Sequence, residues 1–348
     1  MKNHKSVGLA LLLMLFAVNV NTLCNVPCCF AAASSYPSGL IAELGETSTV
    51  LIYSQISATV NLPIPDANMN PTTNVISVPV TCDIAGSGFF VDAIGYVVSA
   101  GHVVFCFTHE NYAQDPYTRI FVINRAFNVI VQALQQAGYN YNPQQQAALL
   151  TYMLTYGSFP TTPIRVVRAV LGKVESTLTQ IEAKGWVARV VAVSPYIERD
   201  LALLKVEGLT NCPILTVGDS SKVMTGDSIY MLGFPDLISD QLPSVETILA
   251  PSMTSGIISA KRYTSFQTPC FQTDASVTYG MSGGPGLNTK GEAIGVCSRG
   301  SISETGQLAA GFNFVIESSV LKSLLTESNV GNAKGPVDEA FLKGLNYY

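Results

Sequence analysis

Short stretches in which apolar and polar residues alternate, punctuated by glycine and proline, run through most of the chain. "STVLIYSQISATV" (48–60) reads as a strand, followed by a proline-rich loop from Leu62 to Thr73. "NVISVPVTC" and "SGFFVDAIGYVVSAGHVV" alternate and turn as paired strands do, with the bend near Ala93 to Gly95. The same pattern recurs in "TPIRVVRAVLGKV", "WVARVVAVS", "LALLKVEGL", "SIYMLGF", "SGIISAKRY", "CFQTDASV" and "GEAIGVCS". Many short strands at this spacing predict an all-β barrel or sandwich. One region changes period. From about Asp115 to Tyr156 apolar residues fall at helical spacing: "RIFVINRAFNVIVQALQQAG" ends at Gly138, and Asn142-Pro143 supplies a cap and first position for "QQQAALLTYMLTYG". This predicts a helical hairpin inserted over about 108–160, either a packed pair with its own core or a lid or docking arm.

Composition narrows the class. The 348 residues suffice for one large or two ordinary domains, and with 48% hydrophobic and 12% charged residues extended disorder is not expected. Net charge is −5 and no lysine- or arginine-rich block is present, which argues against a nucleic-acid partner. No internal repeat or low-complexity tract is found.

The first residues, Met1-Lys-Asn-His-Lys5, precede an apolar run from Val7 to Val20 and small residues at Ala31 to Ala33. A basic start, an apolar centre and a small-residue end predict a signal peptide over 1–33, with export from the cytoplasm; an uncleaved anchor tethering the chain to a membrane is the alternative. Cleavage after Ala33 leaves Cys82, Cys106, Cys212, Cys270 and Cys297. With no C-x-x-C pair among them, neither a zinc site nor any other metal or cofactor is expected. Cys82 and Cys106 bracket His102, so a bridge there is one reading and two buried thiols the other.

"YGMSGGPGLN" (279–288) sets a serine among glycines. If Ser282 is a nucleophile it needs a base, usually an imidazole oriented by a carboxylate. Only His4, His102 and His109 are available, and none follows Ser282, which removes the α/β-hydrolase order that G-x-S-x-G suggests. His102 ends the strand pattern "GYVVSAGH"; His109 lies beyond it in "FTHEN" and reads as a solvated loop residue. Among the intervening aspartates, Asp200 differs because "RDLALLKV" runs it directly into an apolar strand, where a buried carboxylate needs a partner. A histidine N–H supplies one; a salt bridge beside Arg199 is the other reading. The order is therefore His, Asp, Ser.

The blocks "GSGFFVDAIGYVVSAGHVV", "RDLALLKV" and "QTDASVTYGMSGGPGLNTKGEAIGV" resemble the three signature blocks of trypsin-like serine proteases, nearest the HtrA/Deg branch. That resemblance implies two six-stranded antiparallel β-barrels over 74–316, interrupted by the helical insertion, preceded by an extension at 34–73 and followed by a short helical tail at 317–348. It implies a serine endopeptidase with His102 as general base, Asp200 orienting it and Ser282 as nucleophile. The backbone N–H groups of Gly280 and Ser282 would form the oxyanion hole. Ser298, Arg299 and Gly300 in "IGVCSRG" would pair with an extended polypeptide substrate. Ser276 would fall at the base of the specificity pocket, a weak pointer to small or medium apolar side chains. A homo-oligomer, a trimer by analogy, belongs to the same expectation, and the residues after Ser282 are too few for the PDZ module many relatives carry.

Two positions depart from the branch. Met281 stands where asparagine is usual and Tyr279 where proline is usual, so the stability of the oxyanion turn is in question. A catalytically silent relative that binds peptides is the competing reading, and an esterase without proteolytic activity a third.

Overall fold

Period-2 segments bury one face each, and here they do so by closing into barrels. The computed structural model describes residues 35–66, 68–171, 183, 185–235, 250–302 and 308–345; the signal peptide expected over 1–33 lies outside the described residues. After helix α1 (Ser38–Ser48), the first barrel is built from β1 (Thr49–Pro65), β2 (Pro71–Asp92), β3 (Tyr96–Ser99), β4 (Ile164–Val170), β5 (Trp186–Ser194) and β6 (Leu201–Val206). The second uses β7 (Ser228–Gly233), β8 (Ser252–Tyr263), β9 (Pro269–Thr273), β10 (Pro285–Leu287), β11 (Ala293–Ile302) and β12 (Leu308–Glu317). Each is closed, in the orders β1-β2-β3-β6-β5-β4 and β10-β11-β12-β9-β8-β7, and every ladder is antiparallel. This is the expected pair of six-stranded barrels.

Three details differ from the sequence reading. β1 lies in the stretch assigned to an N-terminal extension, yet it pairs with both β2 and β4, so the first barrel starts at Thr49. "NVISVPVTC" and "SGFFVD" are one continuous strand, β2, because Gly86-Ser87-Gly88 passes through extended; a Cβ at Gly88 would sit 2.7 Å from the Val98 carbonyl oxygen. The C-terminal tail forms two helices, α4 (Ser318–Glu327) and α5 (Pro336–Leu345). The bend between β2 and β3 falls where expected, with Gly95 at φ +94°.

The insertion forms α2 (Pro116–Gln136) and α3 (Pro143–Tyr156). α2 is capped by the Asp115 side chain with Pro116 at its first turn, and α3 by a reciprocal Asn142–Gln145 capping box with Pro143. The pair has its own core. Val122, Ile123, Ala126, Tyr152 and Met153 pack on Ile56, Val60, Leu62, Val78 and Val80 of the long β1–β2 ribbon and on Phe105. Full burial of side chains of this size is worth about 1.5–3 kcal/mol each, so the hairpin covers a ribbon that would otherwise expose an apolar face. Separate clusters fill each barrel, and a third joins them through Phe89, Val98, Leu201, Leu232, Leu287, Ile316 and Leu321.

Candidate active site

The pairing Ser99↔Ala202 between β3 and β6 brings His102 and Asp200 together across 98 residues of chain. After β3 the chain passes Ala100-Gly101 and enters a single 3-10 turn, His102–Val104. Gly101 is required there, since a Cβ would lie 2.3 Å from the Ser194 carbonyl oxygen. Asp200 directly precedes β6 with φ +49° and is fully buried. Its Oδ1 accepts the His102 backbone N–H at 3.0 Å, and His102 Nδ1 lies 3.0 Å from both carboxylate oxygens. Oδ2 also accepts the Ser298 hydroxyl at 2.5 Å. A buried carboxylate is costly unless its lone pairs are met by donors, and here three groups meet them. The imidazole is further fixed edge-on to Tyr196, with centroids 5.4 Å apart.

Ser282 stands on the turn between β9 and β10. Gly280 and Gly283 flank it with φ +87° and +88°, values that side-chain-bearing residues rarely adopt. A Cβ at Gly283 would fall 2.1 Å from the Ser87 carbonyl oxygen, and one at Gly284 2.0 Å from that of Leu232. The run Ser-Gly-Gly thus reflects backbone threading between the barrels. The Ser282 carbonyl accepts the Ser87 N–H at 2.7 Å, while the N–H groups of Gly280 and Ser282 meet no acceptor among the described residues. The Ser282 hydroxyl donates to the Ser298 carbonyl oxygen at 3.2 Å, and no hydrogen bond joins it to His102 among the described residues.

The two unusual turn residues part ways. Met281 is 2% exposed and packs with Ala275, Val277, Ile294 and Cys297 in the second barrel, so burial anchors the turn; Tyr279 is 55% exposed. His109 is exposed at the edge of the insertion, its Nδ1 accepting the Asn111 N–H. Arg199 pairs with Glu327 and leaves Asp200 to the imidazole.

Ser298 to Gly300 lie on β11, which pairs with β12 through Arg299↔Phe314 and Gly300↔Asn313. The ladder from β11 to β10 stops at Val296, leaving the second edge beyond Cys297 without a strand partner among the described residues. Ser298 itself is 1% exposed and spends its hydroxyl on Asp200, a role the strand-pairing motif did not reveal. Ser276 is exposed, its carbonyl accepting the Thr254 hydroxyl.

The Cys82–Cys106 bridge is not formed. Cys82, Cys106, Cys212, Cys270 and Cys297 are all buried, and none is in a disulfide. Cys82 Sγ lies toward the Phe121 carbonyl and Cys106 Sγ toward that of His109. Burial pushes the Cys106 thiol up to about 12, and burial with the nearby Asp200 charge pushes Cys297 up to about 12. Neither is a competing nucleophile at neutral pH. Among the described residues no cluster of three metal-ligating side chains occurs, and no helix is long and apolar enough to cross a membrane.

The chain is similar to the probable periplasmic serine endoprotease DegP-like of Pseudomonas putida (strain GB-1), 38% identical over 115 residues, covering 32% of this chain and 21% of that protein. It is similar to the mitochondrial serine protease HTRA2 of Drosophila willistoni, 32% identical over 143 residues, covering 39% and 29%. The chain thus spans between about a fifth and three-tenths of the length of these relatives. A solved structure of the HtrA-type protease AlgW with decapeptide aligns at TM-score 0.48 and 18% identity, over 84% of this chain and 67% of that one. The family model of the trypsin-like peptidase domain matches residues 86–296. That match takes in Ser87, the His102 turn, Asp200 and the Ser282 turn, and the chain belongs to the trypsin-like peptidase family.

Proposed function

We propose that the protein is a serine endopeptidase that cleaves polypeptides through His102, Asp200 and Ser282. The observation that carries this reading is the buried Asp200 holding His102 Nδ1 at 3.0 Å, beside a Ser282 turn whose two N–H groups meet no acceptor among the described residues.

With Nδ1–H donated to Asp200, Nε2 is left as the basic nitrogen. The Ser282 hydroxyl leaves the Ser298 carbonyl, gives its proton to Nε2 and attacks the scissile carbonyl carbon. The oxyanion is met by the Gly280 and Ser282 N–H groups, and the loss of one such donor typically costs about 2.7–4 kcal/mol of transition-state stabilisation. His102 then passes the proton to the leaving amine, and water repeats the sequence on the acyl-enzyme. The open edge at Ser298 to Gly300 favours an extended polypeptide, since pairing there reads main chain. The apolar N-terminal segment and the similarity to a periplasmic DegP-like protease support an extracytoplasmic location. A homo-oligomer is carried over by analogy with the HtrA/Deg branch alone.

A second reading, a silent relative that binds peptides, draws on one observation: the Ser282 hydroxyl is bonded to a carbonyl and not to the base. Reaction of the mature protein with a fluorophosphonate probe, followed by intact mass, separates the two. The endopeptidase reading expects one adduct that Ser282→Ala abolishes. An unmodified, folded native chain would support the silent relative.

A further inference from the structure

Ser87 lies on β2 of the first barrel, between Gly86 and Gly88, and is fully buried. Its hydrogen-bonding groups point mainly at the second barrel. The hydroxyl donates to the Gly280 carbonyl oxygen at 2.7 Å and accepts the Phe234 N–H at 2.8 Å. The backbone N–H donates to the Ser282 carbonyl at 2.7 Å. Its own carbonyl accepts the Ser99 hydroxyl at 2.7 Å. The Ser282 turn is therefore held at two carbonyls, one on each side of Met281, by a single residue from the other barrel.

The bond to Gly280 carries the argument. A glycine populates both signs of φ with little steric penalty, so nothing intrinsic keeps Gly280 at φ +87°. The Ser87 hydroxyl pins the carbonyl of that residue, and the Met281 N–H of the same peptide group donates to the Thr278 carbonyl, so the Gly280–Met281 plane, which lies between the two oxyanion amides, is held at both ends. The N–H groups of Gly280 and Ser282, which meet no acceptor among the described residues, belong to the peptide groups on either side of that plane and are placed by it. Without the hydroxyl the half-buried carbonyl loses its donor, and rotating the plane toward another donor relieves the cost.

We propose that Ser87 is a positioning residue that presets the oxyanion turn from the opposite barrel, so that the Gly280 and Ser282 amides are aligned before substrate arrives. This rests on the endopeptidase reading above. It predicts that removing the hydroxyl slows the chemical step and leaves ground-state binding alone.

The test compares the native chain with Ser87→Ala and Ser99→Ala, measuring the saturation kinetics of fluorophosphonate labelling and the thermal midpoint of each. Ser99→Ala is the structural control. It removes a bond of the same length from the same buried cluster without touching Gly280. For Ser87→Ala the maximal labelling rate is expected to fall on the order of 10–100-fold, with the half-saturating concentration unchanged within about twofold. Ser99→Ala is expected to lose less than about threefold in rate despite a similar drop in thermal midpoint. If Ser87→Ala does not fold, Ser87→Cys, which keeps the volume and a weaker donor, is judged by the same criterion with a smaller expected loss. A native rate in the Ser87 variant, or an equal loss in the Ser99 control, overturns the proposal. Failure of the native chain itself to label, measured first, instead overturns the endopeptidase reading and leaves no turn chemistry for Ser87 to preset.

Discussion

Asp115 offers a sharp test of how the insertion is tied to the site. It is 1% exposed and accepts five backbone N–H groups. Oδ2 takes those of Phe107, Thr108 and His109 at 2.9, 2.6 and 2.9 Å; Oδ1 takes those of Tyr117 and Thr118 at 2.8 and 3.2 Å. One carboxylate thus caps α2 and ties down the loop that follows His102. The same loop meets the segment before Asp200, because the carbonyls of Cys106 and Phe107 accept the N–H groups of Tyr196 and Ile197. A lost cap costs about 1 kcal/mol and each bond to a charged group about 1.5–3 kcal/mol, but water reaches part of the loop once the side chain is cut back. Asp115→Ala is therefore expected to lose about 3–5 kcal/mol, a large share of the usual stability of about 5–15 kcal/mol. Burial pushes the carboxyl up, yet the N–H donors of Thr108, His109, Thr118 and Phe107 together outweigh it and hold it below its ordinary value of 3.8. The sign follows. A group with a depressed folded value adds stability that is fully present above the unfolded value and fades as pH falls through the folded one. Urea denaturation followed by far-UV circular dichroism should show a wide gap between native and Asp115→Ala at pH 7, narrowing below about pH 4. A gap that is absent at neutral pH, or that stays constant into acid, would refute the assignment of this carboxylate as the tie.

Asp200→Asn should leave the fold intact and cut kcat on the order of 10⁴-fold, because an amide cannot accept from His102 Nδ1 and Ser298 as the carboxylate does; peptide hydrolysis by the purified variant checks it. Gly283→Ala should fail to fold, or lose all labelling of Ser282, since its Cβ would lie 2.1 Å from the Ser87 carbonyl at φ +88°; soluble yield and circular dichroism report the outcome. None of Cys82, Cys106, Cys212, Cys270 and Cys297 should react with iodoacetamide at pH 8 in the folded protein, and all should react in urea. Added reductant should not shift the thermal midpoint, as peptide mapping and a melting curve would show.

Local patterning carried much of the fold. Short apolar or alternating runs between turn residues report strands from near neighbours alone, so "LALLKV" and "SIYMLG" stand where the pattern put them. Caps are equally local: Asn142-Pro143 and Asp115-Pro116 announce their helices by chemistry within one turn. The order His102, Asp200, Ser282, with the resemblance it supports, singled out the candidate site from the sequence alone. Membership and direction were not legible in the same way. That β1 belongs to the first barrel depends on ladders to β2 and to β4, the latter more than a hundred residues away. The outward-looking motif "IGVCSRG" hides a serine whose hydroxyl turns inward to Asp200.

Met281 reads in sequence as a weakness of the oxyanion turn and becomes an anchor only because the second barrel closes around it. Ser87 in "GSGFF" is one small polar residue in a strand until the other barrel brings the Gly280 and Ser282 carbonyls to within 2.7 Å. By itself the sequence determined the strands, the helical insertion and which residues could do the chemistry, because periodicity, capping and residue type act over a few positions. Only the tertiary structure decided which polar groups meet, because a hydrogen bond needs two groups within about 3 Å, and the fold alone sets distances between residues far apart in the chain.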